Sequence, residues 1–201
     1  MVNSSGKSSM RPGEGGGRSV STDGDVQGAP GELESVRELL NSWLVPNDTR
    51  VGEDRFDDFA RVRRIAPRQA DPLRELRDDL RAGVEHLPGA DDRLNAWILR
   101  LRVTPTVRDG GIGYAHTGGI AGQVVEAVVV AMASGSWARL KACPDCRWVF
   151  YDHTRNGLKR WCLMTAGDNP RGRSCGSIAK VRRFRERHRS ARPATSDPRP
   201  A

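Results

Sequence analysis

Residues 141–189 read KACPDCRWVFYDHTRNGLKRWCLMTAGDNPRGRSCGSIAKVRRFRERHR and hold all four cysteines of the chain, Cys143, Cys146, Cys162 and Cys175. Their spacing is C-x2-C-x15-C-x12-C. Cys143-Pro144-Asp145-Cys146 makes a tight knuckle that aims two sulfurs at one point. One C-x-x-C alone is a weak signal; a second pair at finger-like distance makes it strong. Four thiolates around a tetrahedral Zn²⁺ leave no open coordination position, so the expected site holds one structural zinc. The metal replaces a core that about fifty residues could hardly build alone. Two disulfides are the alternative, but they need an oxidising compartment, and the sequence shows no signal-peptide pattern. A second alternative replaces one cysteine by His153 or His188. His153 falls in an expected hairpin turn, and His188 lies more than three helical turns past Cys175.

The same stretch predicts a knuckle, a hairpin and a helix. Trp148, Phe150 and Tyr151 are placed on a first strand, and Leu158–Cys162 return as a second. The aromatics are expected to cover the zinc and brace the last helix; stacking of Trp148 and Tyr151 on bases is the other reading. The helix spans about 176–189. Ile178, Val181 and Phe184 or Arg185 are expected to face inward. Lys180, Arg183 and Arg187 form an outward stripe, beside Arg182, Arg185 and Arg189. With Arg155 in the turn, and Lys159 and Arg160 on the second strand, these residues make the candidate nucleic-acid surface. Residues 155–192 carry twelve Lys or Arg against two acids, whereas the whole chain has a net charge of +8. The positive field is therefore concentrated at one end, as a polyanion-binding segment requires.

These residues carry a resemblance. Cys143-Pro144-Asp145-Cys146, Phe150-Tyr151-Asp152, Thr154-Arg155-Asn156, Arg160-Trp161-Cys162 and Ala179-Lys180-Val181-Arg182-Arg183-Phe184-Arg185 resemble the bacterial CGNR zinc finger, named for a Cys-Gly-Asn-Arg motif. Here the motif position reads Cys175-Gly176-Ser177-Ile178, and the gap from Cys162 is longer than the family's. Gly167-Asp168-Asn169 lies nearer the usual motif position but has no cysteine. Cys175 is taken as the fourth ligand because the family pattern resumes directly after it. The resemblance implies a sensory N-terminal domain, called ABATE, that is mostly helical with a small hairpin and binds an unidentified ligand. Leu40-Asn41-Ser42 stands where the family has an aromatic-x-Asn-Thr stretch, so Asn41 is either a ligand contact or a buried structural amide.

The rest of the chain predicts that helical domain over 30–135, between tails at 1–29 and 191–201 too polar to repay ordering. The finger then covers 136–190. A first helix carries Leu33, Val36, Leu39, Leu40, Trp43 and Leu44 at helical spacing and ends at Pro46, with a turn at Asn47-Asp48. A second covers 54–65 around Phe56 and Phe59. A third opens at Asp71-Pro72 and buries Leu73, Leu76, Leu80, Val84 and Leu87. A fourth starts at Asp91 and buries Leu94, Trp97, Ile98 and Leu101. Val103–Val107 and Ile112–Ala115 read as a hairpin, followed by a lone His116 and the pair Gly118-Gly119. That pair could cradle phosphate, but it lacks the P-loop lysine. The apolar run 120–134 makes a central helix, buried on several sides. Trp137 and Leu140 are expected to dock the finger onto this body.

The fold class is thus mainly α with a small β-hairpin: a helical N-terminal domain plus a C-terminal four-cysteine zinc finger. The function expected is a zinc-dependent, DNA-binding transcription regulator in the cytoplasm, associated with the nucleoid. An RNA-binding protein, or an adaptor on RNA polymerase, uses the same basic finger. A single finger reads few base pairs, so a specific regulator needs a homodimer or a partner. A closed zinc site and the lack of a catalytic constellation argue against an enzyme.

Overall fold

The computed structural model describes residues 27–47, 49–163 and 174–190. The expectations for tail residues 1–26 and 191–201, Asp48 and Gly167-Asp168-Asn169 lie outside these. In chain order the elements are α1 (Leu33–Leu40), β1 (Trp43–Leu44), β2 (Glu53–Asp54), α2 (Phe56–Val62), α3 (Pro67–Val84), α4 (Ala90–Arg100), β3 (Thr104–Arg108), β4 (Gly111–Ala115), α5 (Gly119–Ala133), a 3₁₀ turn (Trp137–Arg139), β5 (Leu140–Ala142), β6 (Val149–Tyr151) and α6 (Cys175–Ser190). The strands form three separate antiparallel pairs, β1–β2, β3–β4 and β5–β6.

The body is a packing of α1, α3, α4 and α5. Leu33, Val36, Leu39 and Leu40 of α1 and Leu73, Leu76, Leu80 and Val84 of α3 are buried, as their spacing requires. Val125 and Val128 anchor α5 in the same core, but Val130 and Met132 are exposed, so α5 keeps one open side. Among the predicted seams, Leu87 is 49% exposed because α3 ends at Val84, and Leu94 and Ile98 are only partly buried.

Several boundaries differ from expectation for physical reasons. Helix α1 stops at Leu40 instead of running to Pro46. Its last carbonyl finds another donor: Arg81 Nη1 donates to Leu40 O at 2.7 Å, and also to Trp43 O in β1 at 3.1 Å. That frees Trp43–Leu44 to pair with Glu53–Asp54. Asp54, expected in the second helix, lies in β2 instead, and its carboxylate accepts the Phe56 N–H at 2.9 Å where α2 begins. Helix α3 opens at Pro67, not at Pro72. Ala66 is extended (ψ 140°), as a residue before proline prefers, and Pro67 takes the first turn. Pro72 is then inside the helix, where its missing N–H removes one bond. Gln27–Ala29, assigned by composition to the tail, are held: Tyr151 N donates to Gln27 O and Ala29 N to Glu34.

Among the described residues, Arg37, Arg77 and Arg81 are buried. Arg77 is paired with Asp54 at 2.6 and 3.0 Å and with Asp78 at 2.8 Å. The Arg77 guanidinium holds the Asp54 carboxyl well below the usual carboxylate range.

Candidate metal centre and its docking on the body

The knuckle sits in the β5–β6 hairpin. Cys143 N donates to Trp148 O and Arg147 N to Cys143 O, both at 2.9 Å, which closes the turn around the two sulfurs. Arg147 takes the left-handed conformation that this turn needs (φ 60°). Lys141 and Phe150 are directly opposed across the pair, with Leu140 opposite Tyr151 and Ala142 opposite Val149. Period-two alternation therefore gives the hairpin two faces. Phe150 packs with the four cysteines, whereas Leu140, Val149 and Tyr151 are buried in the core of the body, with Ala142 against them. Trp137 packs against that same core, as expected. The hairpin is thus a wall shared by two cores, and no free linker separates finger from body.

Leu158–Cys162, expected as the returning strand, is a loop; the partner of β6 is β5, on the other side of the knuckle. The reason is Asp152. Its fully buried carboxylate accepts from Thr154 N (2.9 Å), Thr154 Oγ1 (2.6 Å), Lys159 N (2.8 Å) and Lys141 Nζ (2.7 Å). Lys141 Nζ also donates to Gly157 O and, at 3.3 Å, to Lys159 O. Side chains thus hold the backbone of 152–159 in a compact loop.

Cys143, Cys146, Cys162 and Cys175 are all buried, at 0, 8, 5 and 2% exposure. Their sulfurs lie within 4.8 Å of one another, with Cys146–Cys162 at 3.5 Å and Cys162–Cys175 at 3.6 Å. Four sulfurs at a Zn–S distance of about 2.3 Å stand about 3.8 Å apart in a tetrahedron, so the cluster has the size of a zinc site. A disulfide needs about 2.05 Å; all four thiols are free. The thiols cannot all ionise without a cation. Hydrogen bonds from Cys146, Cys162 and Cys175 drive Cys143 far down, and hydrogen bonding to Cys143 pushes Cys146 and Cys162 far up. A dication removes that conflict, and the all-sulfur donor set fits one structural Zn²⁺. Neither histidine belongs to the cluster: His153 Nε2 is 2.7 Å from Gly28 O, and His188 stacks on Phe184.

Cys175 opens α6. Ser174 precedes it as a cap, its Oγ accepting the Ser177 N–H at 3.2 Å. Beyond Ala179 the helix leaves the finger, and Lys180 to Arg189 are all exposed. Val181 and Phe184, expected to face inward, are 48 and 53% exposed. Of the candidate nucleic-acid residues, Lys180, Arg183, Arg185, Arg187 and Arg189 lie exposed along α6, and Arg155 and Arg160 lie exposed on the loop. Arg182 reaches the buried Asp145 carboxylate at 3.4 Å, and Lys159 lies over the Phe150 ring.

Polar contacts that the sequence does not disclose clamp finger to body. Asn41 accepts from Val149 N at 2.7 Å and donates to Val149 O at 2.8 Å, replacing a strand partner with one amide. Of its two sequence readings, the structural amide is the one that the geometry shows. Arg37 also donates to Val149 O, and Arg81 to Arg147 O. Asn41→Ala leaves the buried Val149 N–H without an acceptor; an expected loss of about 2–3 kcal/mol is measurable by urea unfolding of the zinc-loaded protein.

Residues 139–188 match the family model described as CGNR zinc finger. No curated protein matches the chain. Among the described residues no helix is long and apolar enough to cross a membrane.

Proposed function

From the match of residues 139–188 to the CGNR zinc finger, we propose that the protein is a zinc-dependent, DNA-binding transcription regulator. The observation that carries this reading is α6. It is a 16-residue helix, about 24 Å long, that starts at a metal ligand and exposes six basic residues from Lys180 onward. Such a helix fits the major groove, with arginines divided between phosphates and base edges. Lys180 and Arg183, near the helix start, are the base readers in this reading; Arg155, Arg160, Arg187 and Arg189 serve phosphates. The helical body, as an ABATE-like domain, is proposed to sense a ligand and to act on α6 through the shared hairpin.

The test is selection of genomic DNA fragments by zinc-loaded protein at about 50 and 200 mM salt. A few sites retained at the higher salt support the reading, and Arg183→Ala then costs about 1–3 kcal/mol at those sites. Binding to everything at low salt and nothing at high salt means phosphate contacts alone and overturns it. The exposure of Val181 and Phe184 on the basic helix favours, as a second reading, a protein surface such as that of RNA polymerase.

A further inference from the structure

Part of the metal centre's surroundings comes from outside the finger. Val45, Asn47 and Arg50, from the segment joining β1 to β2 in the body, reach it at three points. Val45 N donates to Cys146 O at 2.9 Å. Asn47 Nδ2 lies 3.4 Å from Cys175 Sγ. Arg50 Nη2 lies 3.1 Å from Asp145 Oδ1. The contacts fall on the carbonyl of one ligand, the sulfur of another and the carboxylate between the knuckle cysteines. The Asp145 side chain is 2% exposed, and its Oδ2 is buried without a hydrogen-bond partner. Arg182 of α6 shares its Oδ1 with Arg50.

The chemistry explains why these donors stand there. Four thiolates on one dication leave a cluster of negative charge, and Asp145 adds another. Buried anions require donors and cations close by. Among the described residues, the amide that approaches the Cys175 sulfur comes from the body. Asn47 Nδ2 lies nearer the sulfur than Oδ1 does, 3.4 against 3.8 Å, so the amide is placed to donate to a thiolate. Arg50 adopts a left-handed backbone (φ 58°), which a residue with a side chain keeps only when held. Arg50 N to Pro46 O at 3.0 Å and the Asp145 pairing hold it. The naming motif's Asn and Arg do not follow Cys175; the amide and guanidinium beside this site come from Asn47 and Arg50.

We propose that Val45, Asn47 and Arg50 are a built-in outer layer of the metal centre, with Asn47 positioning the Cys175 thiolate and Arg50 offsetting Asp145. The helical body thereby sets how tightly the finger holds its metal. This rests on the metal site alone and not on what α6 binds.

The test uses full-length Asn47→Ala, Asn47→Asp and Arg50→Gln, with Asn95→Ala on the exposed face of α4 as control. Zinc affinity is read by competition with a chromogenic chelator, and the Co²⁺-loaded proteins give the thiolate-to-metal absorption band. Asn47→Ala is expected to weaken zinc binding about 10–100-fold and to move the band, because a sulfur that loses an N–H donor gives up charge more easily. Asn47→Asp is expected to weaken it further by setting a carboxylate against the thiolate. Arg50→Gln is expected to weaken zinc without moving the band as far, since Arg50 does not touch a sulfur. Asn95→Ala stays at the wild-type value. Affinities of both Asn47 variants within about threefold of wild type, with an unmoved Co²⁺ band, overturn the proposal. A loss of affinity with an unmoved band overturns the role given to Asn47, because general loosening of the loop does not require the sulfur's own donor.

Discussion

Stripping zinc from the full-length protein is expected to lower the stability of the helical body as well as the finger. Structural Zn²⁺ in finger peptides contributes about 10–16 kcal/mol of binding free energy, and in such sites binding is folding. In this chain the β5–β6 hairpin is held from one side by the cysteine cluster and from the other by the body, with Leu140, Val149 and Tyr151 buried in the body's core. Burial of those three side chains stabilises the body by about 5–9 kcal/mol, which is comparable to the whole net stability of a domain. Without metal the knuckle has no reason to close, and the hairpin loses the register that puts these three side chains on one face. Chelator treatment or Cys143→Ser is therefore expected to shift the entire thermal transition downward by tens of degrees, as one cooperative step. Calorimetry with and without chelator, followed by back-titration with zinc, measures it. A body transition unmoved by chelator means that the shared wall contributes nothing, and the two cores are then independent.

The cysteines were readable because metal ligation needs only residue type and spacing, and both stand in the sequence. The seams of α1 and α3 were readable for a similar reason: Leu33, Val36, Leu39 and Leu40 need only a neighbour, whichever it is. The pairing of β6 was not. The alternation Trp148-Val149-Phe150-Tyr151 announces a strand without naming its partner, and Leu140–Ala142 is too short for a period to show. The buried arginines were hidden more deeply. Composition places arginine at the surface; Glu34 and Glu85 pair with Arg37 and Arg81 along their own helices, but the carbonyls that draw both inward, at Val149, Leu40 and Arg147, lie far away in sequence. Asn47 was legible only as a turn residue, since its meeting with Cys175 depends on how β1–β2 packs beside the knuckle. The inward seam expected at Val181 and Phe184 failed for the opposite reason: helical spacing was present, but α6 runs out past the finger, where no described element covers it.

Asp152→Ala is expected to destabilise the zinc-loaded protein by about 3–5 kcal/mol, the range for removing one partner of a buried ion pair. The carboxylate is fully buried and satisfies two backbone N–H groups, a hydroxyl and the Lys141 ammonium. Its loss leaves Lys141 with carbonyl acceptors only and frees the 152–159 loop that leads to Cys162. The effect has a pH signature. Burial pushes the Asp152 carboxyl up, but hydrogen bonds from Lys141, Thr154 and Lys159 outweigh it and hold the group well below the usual carboxylate range. An unfolded aspartate titrates near about 3.9. A group whose folded value lies below its unfolded one stabilises the fold fully above the unfolded value and loses that contribution as pH falls toward the folded one. The stability gap between wild type and Asp152→Ala is therefore expected to stay constant from about pH 7 to pH 5 and to narrow below about pH 4. Acid also displaces zinc by protonating the thiolates. Zinc content is therefore followed in both proteins, and the gap is compared only at pH values where both keep the metal. Urea unfolding of both proteins across that range measures the gap. A gap below about 1 kcal/mol at pH 7, or one that widens in acid, contradicts the assignment of Asp152 as the ionised clamp between the hairpin and the loop to the third cysteine.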